Sequence, residues 1–203
     1  MANNKAPSKR QLEIQLTRLR ILDTPKLKLE QYPVSPEAAA ELLYMAGFEH
    51  NDLDGRVIDL GTGTGRLAIG AALMSSKNVL GVDVDSQALE MAQANARTAG
   101  VDVQWLQSPI DSVEGSCDTV VMNPPYGTRT SHADTLFLKT AFKLAPVVYT
   151  IHKSSTREFL TRFVGKSNRT LDTVRSMRME IPHLFSFHTK KSKSVEVDLC
   201  RIV

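Results

Sequence analysis

The four residues Asn123-Pro124-Pro125-Tyr126 carry the clearest chemical signal in the sequence. They follow a short apolar run, residues 119–122, which predicts a buried strand. Because proline has no N–H to donate, a strand cannot continue its hydrogen-bond ladder through this motif. The residue before each proline is also held in an extended conformation. The motif therefore predicts a stiff corner at a strand's carboxyl end. Its free acceptor oxygens beside an aromatic ring suit a flat ligand that carries an amino group.

A second signal is a glycine-rich loop between a predicted strand and a predicted helix. The strand, residues 56–60, contains Asp59 and runs into Gly61-Thr62-Gly63-Thr64-Gly65, and a helix follows from about Arg66. Glycine lets the backbone approach a ligand closely and adopt positive φ. The spacing is not that of the dinucleotide fingerprint, whose third glycine would stand at Arg66, and the loop lacks the Gly-Lys-Ser/Thr of a P-loop. The loop alone therefore leaves the ligand open.

Asp83 narrows the choice of ligand because it ends the next predicted strand, 22 residues after Gly61. A carboxylate there can accept two hydrogen bonds from ribose hydroxyls. The loop and this acid together indicate an adenosine ligand without a pyrophosphate, and S-adenosylmethionine is such a ligand. Asp59 could reach the cofactor's amino group directly or through water. Val84 follows Asp83 and belongs to the same predicted site.

The elements that position these residues alternate between strands and helices, which predicts a mainly parallel sheet with right-handed crossovers. The last two strands are joined without a helix, so they are predicted as an antiparallel pair. The seven predicted strands are residues 56–60, 79–84, 103–107, 118–122, 146–151, 170–181 and 195–200. Helix boundaries are predicted from capping residues: Ser8 with Gln11, Ser35 before Pro36, Gly47, Ser86, Gly100 and Ser155.

Composition bounds the class of protein. The 203 residues are 42% hydrophobic and 23% charged, and the net charge of +3 permits nucleic-acid binding without requiring it. Cys117 and Cys200 lie in apolar runs, which favours reduced core thiols over a disulfide framework or a metal site. No apolar stretch is long enough to span a bilayer, and residues 1–10 lack the apolar core of a secretory signal. We expect a cytoplasmic protein with one domain over residues 1–203, made of an N-terminal extension and helix (1–28) and a core (29–203).

These motifs together resemble the class I S-adenosylmethionine-dependent methyltransferases that modify planar amino groups. Further runs make the resemblance more specific: Leu29-Glu30-Gln31-Tyr32-Pro33, Met122 to Thr128, Phe137 to Ala141, His152 to Glu158, and Val195 to Leu199. With them the chain resembles the small archaeal and eukaryotic rRNA adenine-N6 methyltransferases, the methyltransferase-like 5 group, from about Leu29 to Val203.

The resemblance implies a Rossmann-like fold with a seven-stranded, mainly parallel sheet, an antiparallel strand 6/7 hairpin and helices on both faces. It also implies S-adenosylmethionine as cofactor and an adenine of small-subunit rRNA as target. The chain departs from the pattern at Val34, where relatives can have threonine. It also departs after the third strand, where Ser108 or Pro109 could take the place of an acid and Asp111 is displaced. Eukaryotic relatives work with a small zinc-binding activator subunit, which is a possible partner here.

The predicted mechanism places two acceptors, the Asn123 side-chain oxygen and the Pro124 carbonyl, at the amino hydrogens of an unstacked adenine. Tyr126 would stack on the base. No strong general base is required, because the methylated ammonium is acidic.

The residues predicted to bind the cofactor are Gln31, Asp59, Gly61, Thr62, Gly63, Thr64, Gly65, Arg66, Asp83, Val84, Asp111 and Asn123. Those predicted to contact RNA are Arg129, His152, Lys153, Lys190, Lys191 and Lys193.

Two other interpretations stay open at this point. The Asn-Pro-Pro-Tyr motif also serves protein glutamine N5 and DNA adenine N6 methylation, although the sequence shows no extra target-recognition domain. A non-catalytic RNA-binding module that retains a cofactor fold is the second, and the presence of Asn123 and Asp83 argues against it.

Overall fold

The computed structural model describes residues 6–74, 77–125, 133–182 and 192–203. The helices are α1 (Lys9–Thr17), α2 (Pro36–Tyr44), α3 (Arg66–Met74), α4 (Ser86–Ala99), α5 (Ala133–Leu144) and α6 (Arg157–Lys166). A π-helical turn, Met45–Glu49, follows α2, and short 3₁₀ turns span Leu27–Leu29, Ile110–Ser112 and Ser154–Thr156. The strands are β1 (Arg56–Leu60), β2 (Asn78–Asp83), β3 (Gln104–Gln107), β4 (Thr119–Met122), β5 (Val147–Lys153), β6 (Leu171–Pro182) and β7 (Ser192–Ile202).

The strands form one seven-stranded sheet in the order β3-β2-β1-β4-β5-β7-β6. Strands β1 to β5 are parallel to one another, whereas β7 runs antiparallel to both β5 and β6. This confirms the predicted fold class, including the antiparallel pair at the end of the chain. The strand order reverses between β1 and β4. In open α/β sheets, ligands bind at the carboxyl ends of the strands beside such a reversal.

The sheet separates two hydrophobic clusters, because alternate strand residues face opposite sides. One cluster packs α1, α2 and α3 against one face, and Leu12 and Leu16 of α1 are fully buried in it. The other packs α5 and α6 against the opposite face. Cys117 and Cys200 belong to the second cluster as free thiols, and burial raises their pKa to about 11 and about 12. The prediction of reduced core thiols is confirmed.

Two predicted helix starts are confirmed by their capping contacts. The Ser8 hydroxyl accepts from the backbone N–H of Gln11, and the Gln11 side chain accepts from the backbone N–H of Ser8. The Ser35 hydroxyl accepts from the N–H of Ala38, with Pro36 as the first helical residue. Both caps satisfy backbone donors that a helix start leaves without an intrahelical partner.

Three predicted caps are wrong. Gly47 lies inside the π-helical turn, where a Cβ would stand 3.1 Å from Leu53 Cδ1, so it permits close packing instead of ending the helix. The N-cap of α4 is Asp85, whose carboxylate accepts from Gln87 N, and Ser86 is the first helical residue. Ser155 lies in a 3₁₀ turn that precedes α6.

Strand β5 extends beyond its predicted end because it pairs with β7, and β7 is longer than predicted because it pairs with both β5 and β6. The antiparallel register runs from Val148 opposite Ile202 to Lys153 opposite Val197. His152 and Lys153 thereby join a strand that the apolar pattern predicts to end at Ile151. No described helix has both the length and the apolar character that a membrane crossing requires.

Candidate active site

A cavity of about 440 Å³ lies at the carboxyl ends of β1, β2 and β4. Its wall combines the β1–α3 loop, the end of β2, the corner after β4, the first turns of α5 and the chain that precedes α2. The predicted residues that it brings together are Gln31, Asp59, Gly61, Thr62, Gly63, Thr64, Arg66, Asp83, Val84, Asp111, Asn123 and Pro125. Residues far apart in the sequence therefore share one site at the strand-order reversal.

The glycine loop has the positive φ angles that its composition predicts. Gly61 has φ 69°, and a Cβ there would stand 2.7 Å from Phe137 Cε1, so only glycine leaves room for that ring at the cavity wall. Gly65, with φ 87°, faces Trp105 instead and does not line the cavity. The structure therefore shows a packing role for Gly65 against Trp105, and its predicted cofactor contact stays a prediction.

Asp83 is fixed by two backbone donors. Its Oδ2 accepts from Gly63 N at 2.8 Å and its Oδ1 accepts from Asp85 N at 2.9 Å. Burial raises the pKa of this carboxyl, which is 9% exposed, while these hydrogen bonds act in the opposite direction. Each carboxylate oxygen has a further lone pair, so the group can still accept from the hydroxyls of a ribose.

Asp59 is a buried acid with one satisfied and one unsatisfied oxygen. Its Oδ2 accepts from Thr62 Oγ1 at 2.6 Å and from Ala68 N at 2.9 Å. Its Oδ1 is buried without a hydrogen-bond partner in the described part of the chain. Burial raises the pKa of Asp59 to about 7. An unpaired buried carboxylate oxygen at a cavity wall is costly, and a cationic ligand group would remove that cost.

Arg66 complements Asp59 with a buried positive charge. The side chain is 8% exposed, and its Nη1 donates to the backbone carbonyl of Val34. Its Nε has no partner among the described residues. Burial lowers the pKa of the guanidinium, although the charge of Glu37 opposes this. A buried guanidinium with an unfilled donor beside a cavity fits a carboxylate. Asp59 and Arg66 together therefore fit the amino and carboxylate groups of an amino-acid ligand.

Gln31 lines the cavity, but its amide is engaged within the protein. Its Nε2 donates to Asp85 Oδ2 at 2.8 Å, and its Oε1 accepts from Lys26 N at 2.6 Å. These contacts hold the chain segment in place, and the cofactor contact that the resemblance implies for Gln31 stays a prediction. Sequence analysis did not single out Lys26 or Asp85, and the only signal for Asp85 was its position before a helix start.

The loop after β3 contributes three residues to the cavity wall, Pro109, Ile110 and Asp111. Ser108 does not line the cavity: its N–H donates to Asp83 O at 3.0 Å and its hydroxyl donates to Pro109 O at 2.9 Å. A contact of Pro109 or Asp111 with the cofactor adenine stays a prediction.

Asn123 is the central polar group at the corner after β4. Its Nδ2 donates to the backbone carbonyl of Tyr32 at 3.2 Å. Its Oδ1 is buried and has no hydrogen-bond partner in the described residues. Pro124 is buried and Pro125 lines the cavity. An oriented amide thus leaves one free acceptor oxygen at the wall of the cavity.

The predicted RNA contacts divide into three groups. Tyr126, predicted to stack on the base, and Arg129, Lys190 and Lys191 lie outside the described residues. Lys153 ends β5 and Lys193 lies in β7. His152 is only 5% exposed, and burial lowers its pKa to about 4 although Asp134 and Asp198 oppose the shift. The prediction of a surface contact at His152 is wrong, because the longer β5 places this side chain on a buried face as a neutral ring.

The strand order, the glycine loop, the acid at the end of β2 and the Asn-Pro-Pro corner together define a class I methyltransferase, and S-adenosylmethionine is the cofactor of this class. The charges and acceptors around the cavity fit that cofactor. Asp59, Arg66, Asp83 and Asn123 all line this cavity.

Comparison with known proteins agrees with this class. The family model "Methyltransferase small domain" matches residues 37–146. The rRNA N(6)-adenosine-methyltransferase METTL5 of Danio rerio is 34% identical, over 95% of this chain and 97% of its own length. The Drosophila melanogaster protein of the same name is 35% identical over 95% and 94%. The crystal structure of a Pyrococcus horikoshii protein described as an RNA methyltransferase superposes with a TM-score of 0.90, at 35% identity and 97% coverage of both chains.

The chain therefore belongs to the methyltransferase small domain family and, within it, to the rRNA N(6)-adenosine-methyltransferases that include METTL5.

Proposed function

We propose that this chain transfers a methyl group from S-adenosylmethionine to N6 of an adenine in small-subunit rRNA. The observation that carries the proposal is the buried, unpaired Asn123 Oδ1 at the wall of a cavity suited to an adenosine cofactor. The names of the relatives, which act on adenosine of rRNA, support the substrate class.

The chain's own residues would hold the cofactor by complementary charge. Asp83 would accept from the ribose hydroxyls, Asp59 Oδ1 would accept from the ammonium, and Arg66 Nε would donate to the carboxylate. Pro109 and Asp111 would flank the adenine ring. When bound, S-adenosylmethionine supplies an electrophilic methyl group on a sulfonium.

Asn123 would raise the reactivity of the receiving nitrogen. The N6 lone pair of adenine is delocalised into the ring, which makes the amino group a poor nucleophile. Acceptors at the amino hydrogens, the Asn123 Oδ1 and the Pro124 carbonyl, favour a more pyramidal nitrogen with a localised lone pair. The contribution of the protein is positioning and electrostatics. His152 is buried and does not line the cavity, which is consistent with a reaction that needs no histidine base.

The adenine must leave its stack to enter the cavity. We propose that Tyr126 then stacks on it, a contact that contributes roughly 1–3 kcal/mol. Phosphates of the RNA would be contacted by the remaining predicted residues, Arg129, Lys153, Lys190, Lys191 and Lys193. Such contacts give affinity and salt dependence but do not select the RNA sequence.

A direct test uses the purified chain, labelled S-adenosylmethionine and three substrates: small-subunit rRNA, duplex DNA and a glutamine-containing peptide. We expect N6-methyladenosine in the rRNA digest by nucleoside mass spectrometry and no label in the other two substrates. Label in DNA or peptide but not in rRNA would contradict the proposal. A parallel reaction with the chain purified together with any bound subunit separates an activator requirement, which the resemblance implies for eukaryotic relatives, from a lack of activity.

The raised pKa of Asp59 predicts a pH-dependent cofactor affinity. In the free protein this pKa is about 7, above the ordinary 3.8. The contribution of Asp59 to folding stability is therefore full below about pH 4 and is lost as the pH rises through 7. The affinity for the cofactor changes with pH in the opposite direction. It is higher above pH 7, because the cofactor's ammonium group binds the ionised carboxylate better than the protonated one. We expect the dissociation constant for S-adenosylmethionine to rise below pH 7, by up to about tenfold per pH unit.

Isothermal titration calorimetry between pH 5.5 and pH 8.5 checks this. Asp59→Asn serves as the matched control, since it keeps the shape and removes the titration. It should bind more weakly at pH 8 and show little pH dependence over this range. A wild-type affinity that stays constant across the range would count against a charged contact at Asp59.

A further inference from the structure

The chain between α1 and α2 lies along the cavity as a strap, defined here as residues 21–34. It supplies one wall of the cavity, from Ile21 to Val34. Its regular structure is limited to the 3₁₀ turn Leu27–Leu29. Because so short a turn does not fix its own position, the strap depends on contacts with the rest of the fold.

Two of those contacts are made to Asp85, which is 4% exposed. Its Oδ1 accepts from Lys26 Nζ at 2.6 Å, and its Oδ2 accepts from Gln31 Nε2 at 2.8 Å. Lys26 and Gln31 are also joined to each other, because Gln31 Oε1 accepts from Lys26 N at 2.6 Å. The three residues therefore form a closed ring of hydrogen bonds. We call the set Lys26, Gln31 and Asp85 the latch.

The latch has a rigid base. Asp85 caps α4 through Gln87 N, and its own N–H donates to Asp83 Oδ1. Burial acts to raise the pKa of Asp85, but the hydrogen bonds from Lys26 and Gln31 lower it overall, so the carboxylate is charged. Charge-assisted hydrogen bonds of this kind are stronger than neutral ones. The strap is thus tied to the same β2–α4 turn that carries Asp83.

The other end of the strap makes two contacts with the site. The carbonyl of Tyr32, next to Gln31, accepts from Asn123 Nδ2 at 3.2 Å. The carbonyl of Val34 accepts from Arg66 Nη1. An amide whose nitrogen is held in this way keeps its oxygen in one orientation, and Asn123 Oδ1 is a free acceptor at the corner after β4.

We propose that Asp85 is a positioning residue for methyl transfer: through Lys26 and Gln31 it holds the strap, and the Tyr32 carbonyl of the strap orients the Asn123 amide. The proposal rests on the proposed function only in its kinetic consequence. The orientation of Asn123 is a property of the protein itself and can be measured without a substrate.

Lys26→Met removes the ammonium and keeps most of the stem. We expect kcat at saturating S-adenosylmethionine to fall by about 10- to 100-fold, since a misplacement of about 1 Å can cost 10²-fold. The dissociation constant of the cofactor should rise only a few-fold, because Asp59, Asp83 and Arg66 remain. Lys26→Arg should restore most of the rate because it keeps the charge and the donors.

Lys9→Met is a matched control. Lys9 pairs with Glu41 at 2.7 Å, and its side chain is 48% exposed, as is that of Lys26 in its pair with Asp85. It lies in α1 and does not line the cavity. We expect its kcat to equal that of the wild type.

Gln31→Glu provides a second variant of nearly unchanged shape. It places a carboxylate against Asp85, and like charges at this distance repel. We expect a loss of kcat at least as large as that of Lys26→Met.

The substrate-free readout is the side-chain amide ¹⁵N signal of Asn123, assigned by its absence in Asn123→Ala. The signal should move in Lys26→Met and Gln31→Glu, and should stay in place in Lys9→Met. An unmoved signal in both latch variants would overturn the proposal even if the wild type methylated no RNA. With an active wild type, unchanged kcat in both variants would overturn it as well, whereas a wild type inactive on rRNA contradicts only the proposed function.

Discussion

Replacement of Asn123 by alanine will reduce methyl transfer by at least about 10²- to 10³-fold, the range measured when one preorganised hydrogen-bonding group is removed from an active site. The residue supplies a side-chain acceptor oxygen at the corner after β4 that is buried and has no partner among the described residues. Without it, the adenine amino group loses a partner that favours a pyramidal nitrogen. Single-turnover rates with saturating cofactor measure this loss directly.

The same variant should bind S-adenosylmethionine within a few-fold of the wild type, because the proposed ribose and amino-acid contacts lie on β1, β2 and α3. Asn78→Ala is a matched amide control, since Asn78 is exposed at the opposite, amino end of β2. Its rate should be unchanged. Equal rates for Asn123→Ala and the wild type would refute the proposed role of the corner.

Replacement of Asp83 by alanine will weaken cofactor binding by roughly 1–3 kcal/mol, the cost of losing hydrogen bonds to a charged group. This corresponds to about a 5- to 150-fold rise in the dissociation constant. The residue is held by Gly63 N and Asp85 N, so its removal also loosens the glycine loop. Both effects weaken cofactor binding.

Calorimetry with S-adenosylmethionine measures the Asp83 effect. Asp102→Ala, which removes an exposed acid that does not line the cavity, controls for the change in net charge. Its affinity should match that of the wild type. An unchanged dissociation constant for Asp83→Ala would exclude the proposed ribose contact.

Local patterns predicted the parts of this fold that depend on near neighbours. Strand β1 ends at the glycine loop and β4 ends at the Asn-Pro-Pro corner, as predicted. Both ends depend on local backbone properties, because proline restricts the backbone and glycine makes it more flexible. Asp83 was placed correctly in the cavity because it ends a parallel strand beside β1. The antiparallel final pair also followed from a local feature, the lack of a helix between the two strands.

The features of the site that local sequence patterns did not predict depend on contacts between residues far apart in the chain. Gln31 and Lys26 meet Asp85 across 54 and 59 residues of chain, and no periodicity or capping pattern reports such a pairing. His152 was predicted as an RNA contact because it follows the predicted end of the fifth strand, but its pairing with β7 extends that strand and buries it as a neutral ring. The raised pKa of Asp59 likewise arises from burial between β1 and α3, which only the folded chain creates.

The measurement that tests the central claim most directly is nucleoside mass spectrometry of small-subunit rRNA from host cells with and without this protein. We predict that N6-methyladenosine at one adenine is lost without the protein, is restored by the wild-type chain and is not restored by Asn123→Ala. An rRNA whose N6-methyladenosine content is the same in all these cells would contradict the account.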